Sequence, residues 1–193
     1  MTTNRLRIVV LTTCVVVGLV ALGLCFLRRY AVQVPPPLSD GPTKENHEDS
    51  ARKFHIKLSG EEKQHILDGN FTVISSTDAL PQSIKNAFAT ITGDKPFALA
   101  NPGSKYQVTD VIDEPGLPHR RLIFAGVCKD RWFIHYEHGG IGVSDAVLVL
   151  NANPDGSVRF VWGGSGFYRA ANMNDLRAAI TSGKFADDAA FYW

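Results

Sequence analysis

The longest apolar stretch of the chain lies near its start, where residues 8–27 carry no charged side chain. Two arginines precede this stretch and two follow it. At about 1.5 Å per residue, a helix of that length spans roughly 30 Å, the thickness of the hydrocarbon core of a bilayer. The pattern therefore predicts a membrane-spanning helix over residues 8–27, within an N-terminal anchor of residues 1–30.

A cleaved secretory signal is the alternative interpretation of the same segment. Ala21 and Gly23 form a small-x-small site, so cleavage near Gly23 would release a secreted protein. That cleavage would leave the apolar residues 24–27 at the new terminus, and the apolar run exceeds the usual signal length of about 7–15 residues. The uncleaved anchor is the favoured interpretation.

The orientation of the predicted anchor does not follow from its flanking charges, because both flanks carry two arginines. A short basic N-terminus before a first span usually stays in the cytoplasm. We therefore expect the C-terminal part of the chain outside the cytoplasm, in a periplasmic or extracellular space.

Residues 31–52 form a Pro-rich and then polar segment that has almost nothing to bury. Consecutive prolines at 35–37 favour an extended path of about 3.1 Å per residue. The charged continuation is too polar to offset the entropy of ordering. The sequence predicts a spacer here, followed by a globular domain over residues 53–193.

Three segments of the domain show helical patterns. Ser59 and Glu62 form a capping box that opens a first helix, which should stop at Gly69. A second helix should begin at Pro81, carry one apolar stripe and end at Gly93. Its stripe consists of Ile84, Ala87, Phe88 and Ile91. A third helix should begin after Asn172.

Other segments alternate with a period of two or are rich in β-branched residues, which predicts strands. They are residues 71–74, 97–100, 106–112, 121–128, 131–138, 144–152 and 157–162. Lys129 and Asp130 stand in the position of a hairpin turn, and residues 153–156 form a turn with proline second and glycine last. We expect an α+β domain in which a meander of five to six antiparallel strands carries its two N-terminal helices and one C-terminal helix on one face.

His135 and Glu137 are the principal candidates for chemistry, because alternation places them on one side of a predicted strand. Pairing across the Lys129–Asp130 turn would set Phe124 opposite His135 and Leu122 opposite Glu137. The other side, with Trp132, Ile134 and Tyr136, is the predicted core.

The pair could act as acid and base, or as two metal ligands with Asp145 or His119 as a third. The simpler alternative is a half-exposed face on which both side chains are solvated. Cys128 is a further candidate, as a nucleophile with His135. His138, Asp145 and Arg131 are candidates for ligand binding, and no motif specifies a metal or a cofactor.

Charge limits the class of partner. Four of the twenty basic residues precede residue 34, so the remainder carries sixteen basic against nineteen acidic residues. A slightly acidic body without a basic run argues against nucleic-acid binding. We expect a non-catalytic binding module, attached to the membrane by its N-terminal helix, for another envelope protein or ligand. A small hydrolase using His135 with Glu137 or Cys128 is the alternative.

Overall fold

The computed structural model describes residues 56–112 and 114–187 of the chain. In chain order, the helices and strands are α1 (Gly60–Asp68), β1 (Thr72–Ile74), a short 3-10 helix (Thr77–Ala79), α2 (Gln82–Thr92), β2 (Arg120–Cys128), β3 (Arg131–His138), β4 (Ser144–Ala152), β5 (Val158–Gly166) and α3 (Met173–Thr181). The predicted anchor and spacer lie outside the described residues. Within the described ranges, no helix is both long enough and apolar enough to cross a bilayer.

The ends of the three α-helices follow from local side-chain and backbone signals. The Ser59 hydroxyl accepts a hydrogen bond from the backbone N–H of Glu62 at 3.2 Å, as in a capping box. Gly93 ends α2 in the left-handed conformation, with φ of 75°. The Asn172 side chain accepts from the first turn of α3, including Asp175 N–H at 3.0 Å. The predicted helices are confirmed.

The five strands form one antiparallel sheet in the order β1-β2-β3-β4-β5, so each strand pairs with its neighbour in sequence. Lys129 has φ of 57°, and positive φ is typical of two-residue hairpin turns. In the turn between β4 and β5, Gly156 N–H donates to the Asn153 carbonyl at 3.0 Å. The predicted α+β class and the meander are confirmed.

Two predicted strands are wrong. Residues 97–100 and 106–112 contribute only isolated parallel bridges, Ala100 to Arg121 and Thr109 to Gly140. The turn that Ser104 N–H closes on the Asn101 carbonyl, at 3.0 Å, directly follows the first segment and separates it from the second. Alternation alone does not make a strand where the backbone has no continuous partner.

The glycine-rich segment 163–166 continues β5 beyond residue 162, where the predicted strand ends. A Cβ at Gly164 would lie 2.3 Å from the Trp162 ring and 3.0 Å from the Cβ of Phe185. The missing side chain therefore makes room for two aromatic residues on one face of the strand. Glycine marks a close approach here rather than the end of the element.

Helices cover both faces of the sheet, so the expectation that they pack on one face is wrong. On the first face, α2 packs on the core cluster of Leu80, Ile84, Phe88, Ile91, Leu99, Leu122, Ala125, Ile134, Tyr136, Ala146, Leu148 and Leu150. On the second face, α1 and α3 pack on the cluster of Ile66, Phe124, Phe133, Val147, Val149, Val161, Trp162, Ala170, Leu176, Ala179, Ile180 and Phe185.

Two β-bulges shift the alternation of side chains between these faces. The register is irregular between Leu122 and Phe124, and again between Val149 and Leu150 opposite β5. Ile123 is the extra residue of the first bulge, and it packs on the second face together with Phe124. Residues before this bulge therefore face the side opposite to the one that simple alternation predicts.

Gly126 leaves the space that the Phe133 ring occupies on the neighbouring strand. A Cβ at Gly126 would lie 2.4 Å from that ring. The ring cannot move freely, because Phe71 and Phe124 pack edge-on against it with centroid distances of 5.2 and 5.5 Å. This close packing fixes three aromatic side chains of the second face.

We expect Gly126→Ala to lower the free energy of unfolding by about 1–3 kcal/mol, because the methyl group overpacks this aromatic cluster. Gly60→Ala is the matched control, since a Cβ at Gly60 meets nothing within 4 Å. It should change stability by less than about 1 kcal/mol, in the stabilising direction that helix propensity favours. Urea unfolding of both variants measures the difference, and equal midpoints would contradict the packing argument.

Candidate functional site

His135 lies fully buried on the second face of the sheet, at the centre of β3. Its Nδ1 lies 2.9 Å from the Ala146 carbonyl, and its Nε2 lies 3.1 Å from the Ala170 backbone N–H. A carbonyl can only accept and an N–H can only donate. The ring is therefore neutral, with its proton on Nδ1, and it connects β4 to the loop before α3.

The surroundings of His135 favour this neutral form. Phe124 and Phe185 pack edge-on against the ring at centroid distances of 5.5 and 5.7 Å. Burial lowers the pKa of His135 to about 4, although the hydrogen bond to Ala146 opposes the shift. With both nitrogens bonded to the backbone, the ring offers no lone pair to a metal and no site for an incoming proton.

Glu137 follows on the same face, and its buried carboxylate lies between two arginines. Arg121 Nε donates to Oε2 at 2.7 Å, and Arg169 Nη1 donates to Oε1. Arg121 also stacks on the Tyr106 ring, 4.4 Å from its centroid, and donates to the Ser104 carbonyl at 3.2 Å. These contacts connect the sheet to the loop before β2 and to the loop after β5.

Asp145 stands opposite Glu137 on β4 and is also buried. Among the residues that the structure describes, it forms no ion pair, and both arginines bond Glu137 instead. Burial raises the pKa of Asp145 to about 6. The two adjacent carboxylates thus have different environments. The charge of Glu137 is neutralised by two arginines, whereas Asp145 is buried without a cation among the described side chains.

The predicted pairing of this region is correct in one half and wrong in the other. Phe124 stands opposite His135, as expected, but Arg121 rather than Leu122 stands opposite Glu137. The bulge at Ile123 causes the shift. It brings a cation, where an apolar residue was expected, next to the carboxylate.

The solvated, half-exposed face that was the simpler alternative for His135 and Glu137 is also wrong. Both residues are buried, because α1, α3 and the loop containing Ala170 cover this side of the sheet. Arg121 and Arg169 are the partners that the sequence did not indicate. A glutamate on the same strand as Phe133, Ile134 and Tyr136 was the signal that a cation had to be nearby.

Cys128 lies at the other end of the hairpin, opposite Arg131, with a free thiol. It stands four positions along β2 from Phe124, the partner of His135, so the structure does not bring Cys128 and His135 together. Arg131 binds Glu62 of α1 at 3.0 Å and thereby fixes that helix to the sheet.

His138 ends β3, half-buried, where it pairs with Arg120 on one side and Ser144 on the other. Arg120 is a buried cation that the sequence did not mark. It bonds Asp94 and donates to the Thr92 carbonyl at 3.3 Å, at the C-terminal end of α2. That position suits a cation, because the free carbonyls of a helix end carry partial negative charge.

The metal-ligand hypothesis joined His135 and Glu137 to His119 or Asp145. Across residues 56–112 and 114–187, no group of three or more histidine, cysteine or carboxylate side chains is arranged to hold a metal ion. His135 and Glu137 bond protein atoms instead. Their arrangement holds strands and loops together.

No protein-family model, curated protein or solved structure matches the chain. The interpretation of the site around His135 and Glu137 therefore rests on its own geometry.

We expect Glu137→Gln to lower the free energy of unfolding by about 3 kcal/mol, because it leaves two arginines without their shared anion. Glu114→Gln is the matched control, since its ion pair with Lys105, at 3.1 Å, is exposed on both sides. The control should stay within about 0.5 kcal/mol of the wild type. Similar losses in both variants, measured by urea unfolding, would remove the argument for a structural carboxylate.

The pH dependence of stability should contain two opposing contributions. The pKa of His135 falls on folding from 6.5 to about 4, so its contribution to stability is complete above pH 6.5 and is lost as the pH falls. The pKa of Asp145 rises from 3.8 to about 6, so its contribution decreases as the pH rises.

Asp145→Asn should therefore make the unfolding free energy rise more steeply with pH between pH 4 and 6.5 than it does in the wild type. His135→Asn should make the unfolding free energy rise less steeply with pH over the same range. Denaturant midpoints at several pH values measure both slopes. Identical profiles for the wild type and Asp145→Asn would show that the Asp145 carboxyl titrates alike in both states.

Proposed function

We propose that the chain is a single-pass, membrane-anchored protein whose extracytoplasmic α+β domain is a non-catalytic binding module. The membrane part of the proposal rests on the uncharged residues 8–27 and on the polar spacer that follows them. A tether of this kind confines the domain to a surface and raises its effective concentration toward partners there.

One observation carries the non-catalytic part: His135 and Glu137, the principal candidates for chemistry, are already engaged within the fold. Both ring nitrogens of His135 bond backbone groups, and the Glu137 carboxylate bonds two arginines. A general base or a nucleophile needs a free lone pair directed at a substrate. The hydrolase alternative draws no support from this geometry.

The tether is tested by matched leucine-to-arginine changes. An arginine at the centre of a span costs about 2.5–3.5 kcal/mol of insertion free energy, so Leu19→Arg should release a large fraction of the full-length protein from membranes in alkaline carbonate. Leu38→Arg, in the spacer, should stay in the membrane pellet with the wild type.

Protease with access to the outer face of the cytoplasmic membrane, in intact cells or in spheroplasts where an outer membrane is present, should digest the domain of the wild type. A wild-type product that is extracted by carbonate, or that is shortened by about twenty-three residues, would refute the anchor and support signal cleavage near Gly23. A domain that protease reaches only after the cytoplasmic membrane is permeabilised would refute the proposed orientation.

A further inference from the structure

Most of the exposed large apolar side chains of the described residues lie at one end of the sheet, in three loops. We call this surface the apolar tip; it consists of Val108, Val111, Ile112, Ile141, Val143, Phe167 and Tyr168. Ile141 is 98% exposed and Phe167 is 78% exposed. Scattered apolar residues are ordinary on a protein surface, whereas a concentration of this kind marks an interaction site.

The three loops form one surface because backbone contacts hold them side by side. Gly140 N–H donates to the Val108 carbonyl at 3.1 Å, which joins the loop before β2 to the loop between β3 and β4. Asp145 pairs with Gly166, so Phe167 follows directly beside the start of β4. The three loops therefore lie side by side at this end of the sheet.

The base of the apolar tip is closely packed. A Cβ at Gly139 would lie 1.8 Å from the Gln107 carbonyl oxygen, so the two loops touch backbone to backbone. Gln107 N–H donates to the Pro118 carbonyl at 2.9 Å, and Arg169 is held by Glu137. A surface fixed in this way loses little entropy when it binds.

The charges around the apolar tip indicate the kind of surface that it fits. Lys105 and Glu114 neutralise each other at 3.1 Å, and residues 139–143 carry no charge. Asp110 is exposed, and in the described part of the chain it has no ion pair. A complementary surface would be apolar at its centre and would place a basic side chain opposite Asp110.

We propose that the apolar tip docks a second protein with such a surface, an inference that rests on the proposed binding function. A protein partner is favoured over a lipid surface because Asp110 would be repelled by anionic headgroups and desolvated among apolar chains. A second copy of the chain would bring another Asp110 to the same interface.

Site-specific photo-crosslinking of the full-length chain, in the cells that produce it, tests the proposal. A benzoylphenylalanine at position 141 or 167 should give an adduct with one other protein. The same group at Asp155, in the turn at the opposite end of the sheet, should give none. Mass spectrometry should map the adduct to a partner peptide that lies next to lysine or arginine.

A charge reversal then tests the complementarity. Asp110→Lys should lower the adduct yield from position 141 by about tenfold, because it places like charges across the interface. Asp130→Lys, at an exposed position in the turn between β2 and β3, is the matched control and should leave the yield unchanged. Equal yields in the two variants would refute the basic partner.

The identity of the adduct distinguishes the proposed protein partner from the other occupants. An adduct of the chain with itself would show a contact between copies, and an adduct with lipid would show a membrane contact. Equal adducts from positions 141 and 155, or no adduct from positions 141 and 167, would refute the docking surface. Carbonate extraction of Leu19→Arg is independent of these results, so the tether can stand where the apolar tip fails.

Discussion

The constraint on which the rest of this domain depends is that its sheet is buried on both faces. A polar side chain on a central strand then loses contact with water, and burying it without a partner within the protein costs free energy. His135 meets this requirement with two backbone groups, and Glu137 meets it with two arginines. Residues that resemble a catalytic pair in the sequence thereby become connections between strands and loops.

These connections lie where the apolar layer of the second face ends. Toward the end of the sheet that carries the loops, Val147 and Phe124 give way to Glu137, Asp145 and Arg121. The ionic groups bind the loops, because Arg121 donates to the Ser104 carbonyl and Arg169, in the loop after β5, bonds Glu137. The same loops then present their larger apolar side chains outward, so the buried network supports the exposed surface.

Elements with local signals could be predicted from the sequence, because a cap or a turn needs only its own neighbours. Ser59, Gly93 and the Lys129–Asp130 turn are of this kind. The layer on the second face, the bulge at Ile123 and hence the position of Arg121 depend on distant segments. The sequence did contain one signal that both faces are buried. Residues 146–150 are continuously apolar, a pattern typical of a strand that has no solvent-exposed face.

The proposed anchor and the proposed docking surface would contribute to binding in different ways. The apolar tip would supply contact energy, because its exposed side chains lie on loops that backbone contacts hold side by side. The spacer is too polar to order, so the tether would supply effective concentration rather than contact energy. A partner that is confined to the same surface would gain from both contributions.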